Sequence, residues 1–132
     1  VDERWRHRAA QRTRAADKAI EMGLTSDPAD PRLGHGEDKS PQPMQEMYLI
    51  LSDHERARGF VRPVRRSYRH QDPECGVVTT MALPLAETYA ANPAFYGATY
   101  CTGCRMHRPV GQHGEFTWMD NDGSDTAELV GT

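Results

Sequence analysis

Tyr100-Cys101-Thr102-Gly103-Cys104-Arg105-Met106-His107 is the stretch on which the reading of this chain turns. Two cysteines separated by two residues, with a glycine between them, suit a tight turn that aims both sulfurs at one point. Backbone N–H groups in such a turn can donate to the thiolates and stabilise their charge. Cys75, 26 positions before Cys101 and followed by Gly76, offers a third sulfur at a second bend. Three soft donors and an imidazole describe a tetrahedral Cys3His zinc site. His107 completes a local Cys-x2-Cys-x2-His pattern and is the expected fourth ligand. His70 is the alternative, giving His-x4-Cys and Cys-x2-Cys. His54, His113 and water are the remaining candidates, and a water there would turn a structural site into a potentially catalytic one. Buried thiols and a redox pair are the competing readings. The redox reading lacks its context, because Cys101 to Cys104 opens no helix of a βαβ unit.

Composition explains why a metal would matter here. The chain has 132 residues, one domain's worth, of which nineteen are Leu, Ile, Val or Phe. So few aliphatic residues warn of disorder only when net charge is high. Here sixteen Lys+Arg against nineteen Asp+Glu leave a net charge of −3. A small folded unit short of oily residues gains folding free energy from a bound ion, so a structural zinc is favoured over a catalytic one. The near balance of charge also argues against a protein that coats duplex DNA. Three cysteines, an odd number with two in one short pair, fit a reducing compartment. No apolar run approaches a membrane span, and residues 2–18 carry charges where a signal segment would carry an apolar core. The expected location is the cytoplasm.

Outward from the cysteines, the apolar residues concentrate between 48 and 118. The expected organisation is a helical arm (1–24), a Pro/Gly-rich linker (25–46), a zinc-binding core domain (47–119) and an acidic tail (120–132). Trp5, Ala9, Ala16, Ile20 and Leu24 give the arm a thin stripe at helical spacing. Pro28, Pro31, Pro41 and Pro43 mark the linker. Met47 to Leu51 reads as a buried strand. Ser52 with Glu55 reads as a capping box for a short helix ending at Gly59. Phe60 to Val64 reads as extended, and Val77 to Met81 as a strand. Pro84 opens a helix that runs to Ala91, before Pro93, with Leu85 and Tyr89 facing the core. Glu115 to Met119 reads as a last strand, and Asn121-Asp122-Gly123 as the start of a mobile tail. The fold class is α+β, a small zinc-stapled domain of ribbon or knuckle type with an N-terminal helical arm.

Six arginines crowd residues 56–69: Arg56, Arg58, Arg62, Arg65, Arg66 and Arg69, with Phe60, Tyr68 and His70 among them. Cations interleaved with aromatics suit phosphate contact and base stacking, and suit protein interfaces equally well. Against this, acidic residues in 120–128 can fold back on the patch. The chain lacks GxSxG, P-loop, HExxH and GxGxxG patterns. His113-Gly114-Glu115 has the His-x-Glu spelling of a zinc deaminase, but it follows the cysteine pair instead of preceding it. No residue is assigned a catalytic role, and a zinc hydrolase is the weakest functional reading.

The stretches Gly59–His70, Cys75–Met81, Ala86–Tyr89, Phe95–Cys101 and Glu115–Trp118 resemble small uncharacterised proteins of zinc-binding type found in phage and prophage genomes. The resemblance covers about 48–118 and leaves the N-terminal arm outside. It implies an accessory or virion-associated role and carries no activity with it. Taken together, the expectation is a non-catalytic phage-related adaptor held by structural zinc. Its Arg-rich surface would meet a protein partner, either a phage structural protein or a host protein. Nucleic-acid binding or interference with host machinery through the same patch is the alternative.

Overall fold

A computed structural model describes residues 23–33 and 47–132. Its centre is an antiparallel sheet of four short strands: β3 (Ser67–His70), β4 (Val78–Thr80), β7 (Phe116–Met119) and β8 (Asp125–Leu129), in the order β4-β3-β7-β8. β5 (Ala98–Cys101) and β6 (Met106–Pro109) form a separate hairpin, and β1 (Leu24–Thr25) pairs in parallel with β2 (Tyr48–Leu49). Among the described residues two helices accompany them, α1 (Asp53–Arg56) and α2 (Leu83–Ala91). The architecture is therefore strand-rich α+β. No helix among the described residues is long and apolar enough to cross a membrane.

Local signals explain the helices. The Ser52 hydroxyl accepts from the Glu55 N–H while the Glu55 carboxylate accepts from the Ser52 N–H, a reciprocal cap that satisfies two orphan donors of α1. Gly59, at φ 118°, lies just beyond. α2 carries Pro84 in its first turn and stops at Asn92, before Pro93. Its inner face buries Ala86, Tyr89 and Ala90.

The core is aromatic where it is poor in aliphatics. Tyr68 meets Phe116 and Trp118 edge-on, with centroids 5.2 and 6.2 Å apart, and Tyr89 meets Trp118 edge-on at 5.5 Å. Each such ring buries roughly 150–250 Å², so a few of them replace many missing leucines. Met81, Cys101 and Val130 close the same cluster.

The structure redraws the expected boundaries at both ends of the core. The helix over 1–24 lies outside the described residues except at its end, and there Leu24 is in β1, not in a helix. The second half of the linker also lies outside them. Its first half contributes to the fold: Leu24 is buried, Tyr48 N–H donates to the Gly23 carbonyl, and Leu33 bridges to buried Met47. Residues 120–132 are likewise no loose acidic tail. The turn at Asn121-Asp122-Gly123, with Gly123 at φ 88°, reverses the chain into β8, and Val130 is fully buried. Charge density at 120–128 concealed this pairing, whose register is irregular between Thr117 and Met119. Thr126 and Leu129 are half-buried between exposed Asp125, Ala127 and Glu128.

Candidate metal centre

Two hairpins bring the sulfurs together. His70 ends β3, and Cys75 sits in the turn that leads to β4. Cys101 ends β5, and Cys104 sits in the turn that leads to β6. The donor atoms of His70, Cys75, Cys101 and Cys104 all lie within 4.8 Å of one another, and the group can hold a metal ion. Cys75 Sγ is 3.6 Å from Cys101 Sγ, and His70 Nδ1 is 3.7 Å from Cys101 Sγ and 3.5 Å from Cys104 Sγ. His70 and Cys101 are fully buried.

The turns are shaped to present these sulfurs. In the first, the N–H groups of Cys75 and Gly76 both donate to the Asp72 carbonyl, and Gly76 takes φ 65°. In the second, Arg105 N–H donates to the Cys101 carbonyl, Cys104 N–H lies 3.5 Å from Cys101 Sγ, and Arg105 takes φ 57°. Gly103 is required by close approach: a Cβ there would stand 2.8 Å from Cys75 Sγ and 2.7 Å from Val77 Cγ2. Outside the cluster, Thr102 N–H donates to Thr79 Oγ1 at 3.1 Å and clamps the two hairpins together.

The environment sets the protonation of the donors. The Val77 N–H donates to the Cys75 sulfur and, helped by His70 and the other two thiols, brings the Cys75 thiol down to about 7 against the pull of burial. Burial, with crowding by Cys75 and Cys101, pushes the Cys104 thiol up to about 11. Burial disfavours the charged imidazole of His70, but its hydrogen bonds to Glu115 and Cys75 outweigh that and raise it. His70 Nε2 is 3.0 Å from Glu115 Oε1, which leaves Nδ1 facing the sulfurs, and the ring stacks on Phe116 at 4.8 Å.

The expected fourth ligand, His107, is not in this group; His70 is. The reason is strand alternation. Cys101 pairs with Met106 and Tyr100 pairs with His107 across the β5–β6 hairpin, so His107 shares a face with Tyr100 and not with Cys101. Its Nε2 lies 3.1 Å from the Tyr48 hydroxyl instead. His54 and His113 are exposed and outside the cluster. Glu115, which fixes His70, had no signal at its distance in the chain. It becomes visible only once His70 pairs with Phe116 in the sheet.

The arginines do not form one surface. Arg56 pairs with Asp53 and Glu87 and donates to the Leu51 carbonyl. Arg65 is buried, pairs with Glu128 and lies over the Trp118 ring. Arg69 pairs with Asp125, and Tyr68 is buried with its hydroxyl donating to the Tyr100 carbonyl. Arg66 donates to the Met81 carbonyl. β8, read as tail, supplies both carboxylates that take up Arg65 and Arg69. Arg58 and Arg62 flank exposed Phe60 and Val61 in the loop after α1. Searches with this chain matched no protein-family model, no curated protein and no solved structure.

Proposed function

We propose that the chain is a non-catalytic binding module whose fold is stapled by one zinc ion on His70, Cys75, Cys101 and Cys104. The observation that carries this reading is the spacing of the donors. Zinc–sulfur bonds of about 2.3 Å and a zinc–nitrogen bond of about 2.0–2.1 Å give tetrahedral edges of about 3.8 Å between sulfurs and about 3.6 Å from sulfur to nitrogen. The separations of 3.6, 3.7 and 3.5 Å lie close to those edges. Three thiolates with an imidazole favour zinc over harder divalent ions. Four protein donors close the coordination sphere, which speaks for structure and against a hydrolase needing an open position.

The partner surface in this reading is Arg58-Gly59-Phe60-Val61-Arg62. Two exposed apolar side chains, at 44% and 63% exposure, flanked by guanidiniums suit a protein segment that is apolar with acidic flanks. In the phage setting that the resemblance implies, that segment belongs to a virion or host protein. Nucleic acid ranks second because Arg65, Arg69 and Tyr68 are engaged within the fold.

Elemental analysis of protein purified without chelator tests the staple. One zinc per chain is expected. Cobalt substitution should give the visible absorption of a tetrahedral thiolate site, and chelation should abolish cooperative unfolding. A zinc-free preparation with all three thiols reactive in the native state would overturn the reading.

A further inference from the structure

Against the β5–β6 hairpin lies a cavity of about 190 Å³. Its walls come from β2, β3, β4, α2 and both strands of the hairpin, and the rings of Tyr48, Tyr68, Tyr89, Tyr96, Tyr100 and His107 dominate them. Neither the metal staple nor the 58–62 loop uses this space.

Three properties mark it as built to be filled. First, its walls are tethered. The Tyr68 hydroxyl donates to the Tyr100 carbonyl at 2.5 Å, the Tyr96 hydroxyl donates to the Leu49 carbonyl at 2.6 Å, and Tyr89 packs on Tyr96 with centroids 4.7 Å apart. Rings held to other elements cannot swing inward to close the void, so it is pre-organised. Second, the described residues that line it include no Asp, Glu, Lys or Arg, so none of them pairs with a charged guest. Third, polar atoms punctuate an otherwise apolar wall: the Tyr48 hydroxyl beside His107 Nε2, the Thr99 hydroxyl, and the Thr79–Thr102 hydroxyl pair at 3.0 Å. Apolar walls with a few fixed polar groups are the make-up of small-molecule sites. The volume is somewhat above the roughly 150 Å³ that holds benzene in an engineered apolar cavity.

We propose that this cavity binds an uncharged, planar molecule of one or two rings. The guest stacks or meets edge-on with the tyrosine rings and takes a hydrogen bond from the wall. The site is separate from the metal and does not depend on the identity of the ion.

Indole is the probe, with benzoate and benzylammonium as charged controls, on the full metal-loaded chain. Saturable shifts in 15N–1H spectra at residues 79–82, 96–102 and 107 are expected, with a dissociation constant on the order of 1 mM or tighter. Indole should also raise the melting temperature, because it binds only the folded chain. The charged controls should bind at least about ten-fold more weakly. Ala98→Trp and Thr80→Trp each place a ring at the exposed mouth and should abolish the shifts while metal content stays unchanged. No saturable binding, equal binding of indole and benzoate, or shifts that persist in a folded plug variant would each overturn the proposal.

Discussion

His70 and Cys75 leave β3 with four residues between them, and Gly76 then turns the chain back with φ 65°. Cys101 and Cys104 leave β5 with two residues between them, and Arg105 makes the equivalent turn with φ 57°. The two halves of the centre thus share a backbone device, a left-handed residue directly after the second donor, and differ in the residue that performs it. They differ in electrostatics too. The Val77 N–H brings Cys75 down to about 7, whereas burial holds Cys104 up at about 11. The backbone therefore favours the thiolate of Cys75 in the first turn, while burial favours the thiol of Cys104 in the second. Convergence of the donors is thus a property of the backbone, and in the zinc reading the ion would complete the charge set.

The largest test of this division removes a donor from either half. Cys75→Ser, Cys104→Ser and His70→Ala should each lose the ion and cooperative unfolding. Binding of a structural zinc is worth about 10–16 kcal/mol in small peptides, as much as a whole domain's stability. His107→Ala should keep a full equivalent of zinc. Loss of zinc in that variant, with retention in His70→Ala, would reverse the assignment of the imidazole.

Next in size is the hold on His70 from behind. Glu115 accepts from Nε2 and is itself 3.4 Å from the Arg108 guanidinium. Glu115→Gln keeps the shape and removes the charge, and the affinity for zinc in competition with a chelator should fall about 10–100-fold. An unchanged affinity would mean that strand pairing alone orients the ring. Gly103→Ala probes the place where the halves touch. The added methyl would stand 2.8 Å from Cys75 Sγ, so the sulfur or the Val77 side chain must shift. A loss of about 1–3 kcal/mol is expected, with a changed cobalt spectrum. A stability loss without spectral change would place the strain on Val77.

How much of this was legible in the sequence follows from the range over which each signal acts. The α1 cap, the proline-led α2 and the strand at 116–119 depend on neighbours within four residues, and their residues announce them. Cysteine spacing likewise pointed to three convergent sulfurs. The choice between His70 and His107 was not legible, because it depends on which strand face Cys101 occupies, and a one-residue change of register would invert it. β3 was hidden for a different reason. Arg65, Arg66 and Arg69 read as part of a binding patch, yet Tyr68 and His70 on either side of Arg69 point inward, and Arg65 is itself buried and paired with Glu128. β8 was hidden with it, since its carboxylates find their purpose only opposite those arginines.

The finest test exchanges the residues that turn the two halves. At Gly76 a Cβ would meet nothing within 4 Å, so Gly76→Ala carries only the backbone penalty of a left-handed alanine, about 1 kcal/mol. At position 105 the same penalty is already present. Arg105→Gly relieves it but adds unfolded-state freedom to a glycine, so the gain should be a few tenths of a kcal/mol up to about 1. In thermal unfolding of the zinc-loaded chain the first variant should melt a few degrees lower and the second about 1–3 °C higher. Equal and opposite shifts would mean the halves bear the turn alike. A lower melting temperature for Arg105→Gly would mean that the arginine side chain contributes a contact outweighing its strain. The comparison would then rest on what each residue touches and no longer on backbone conformation.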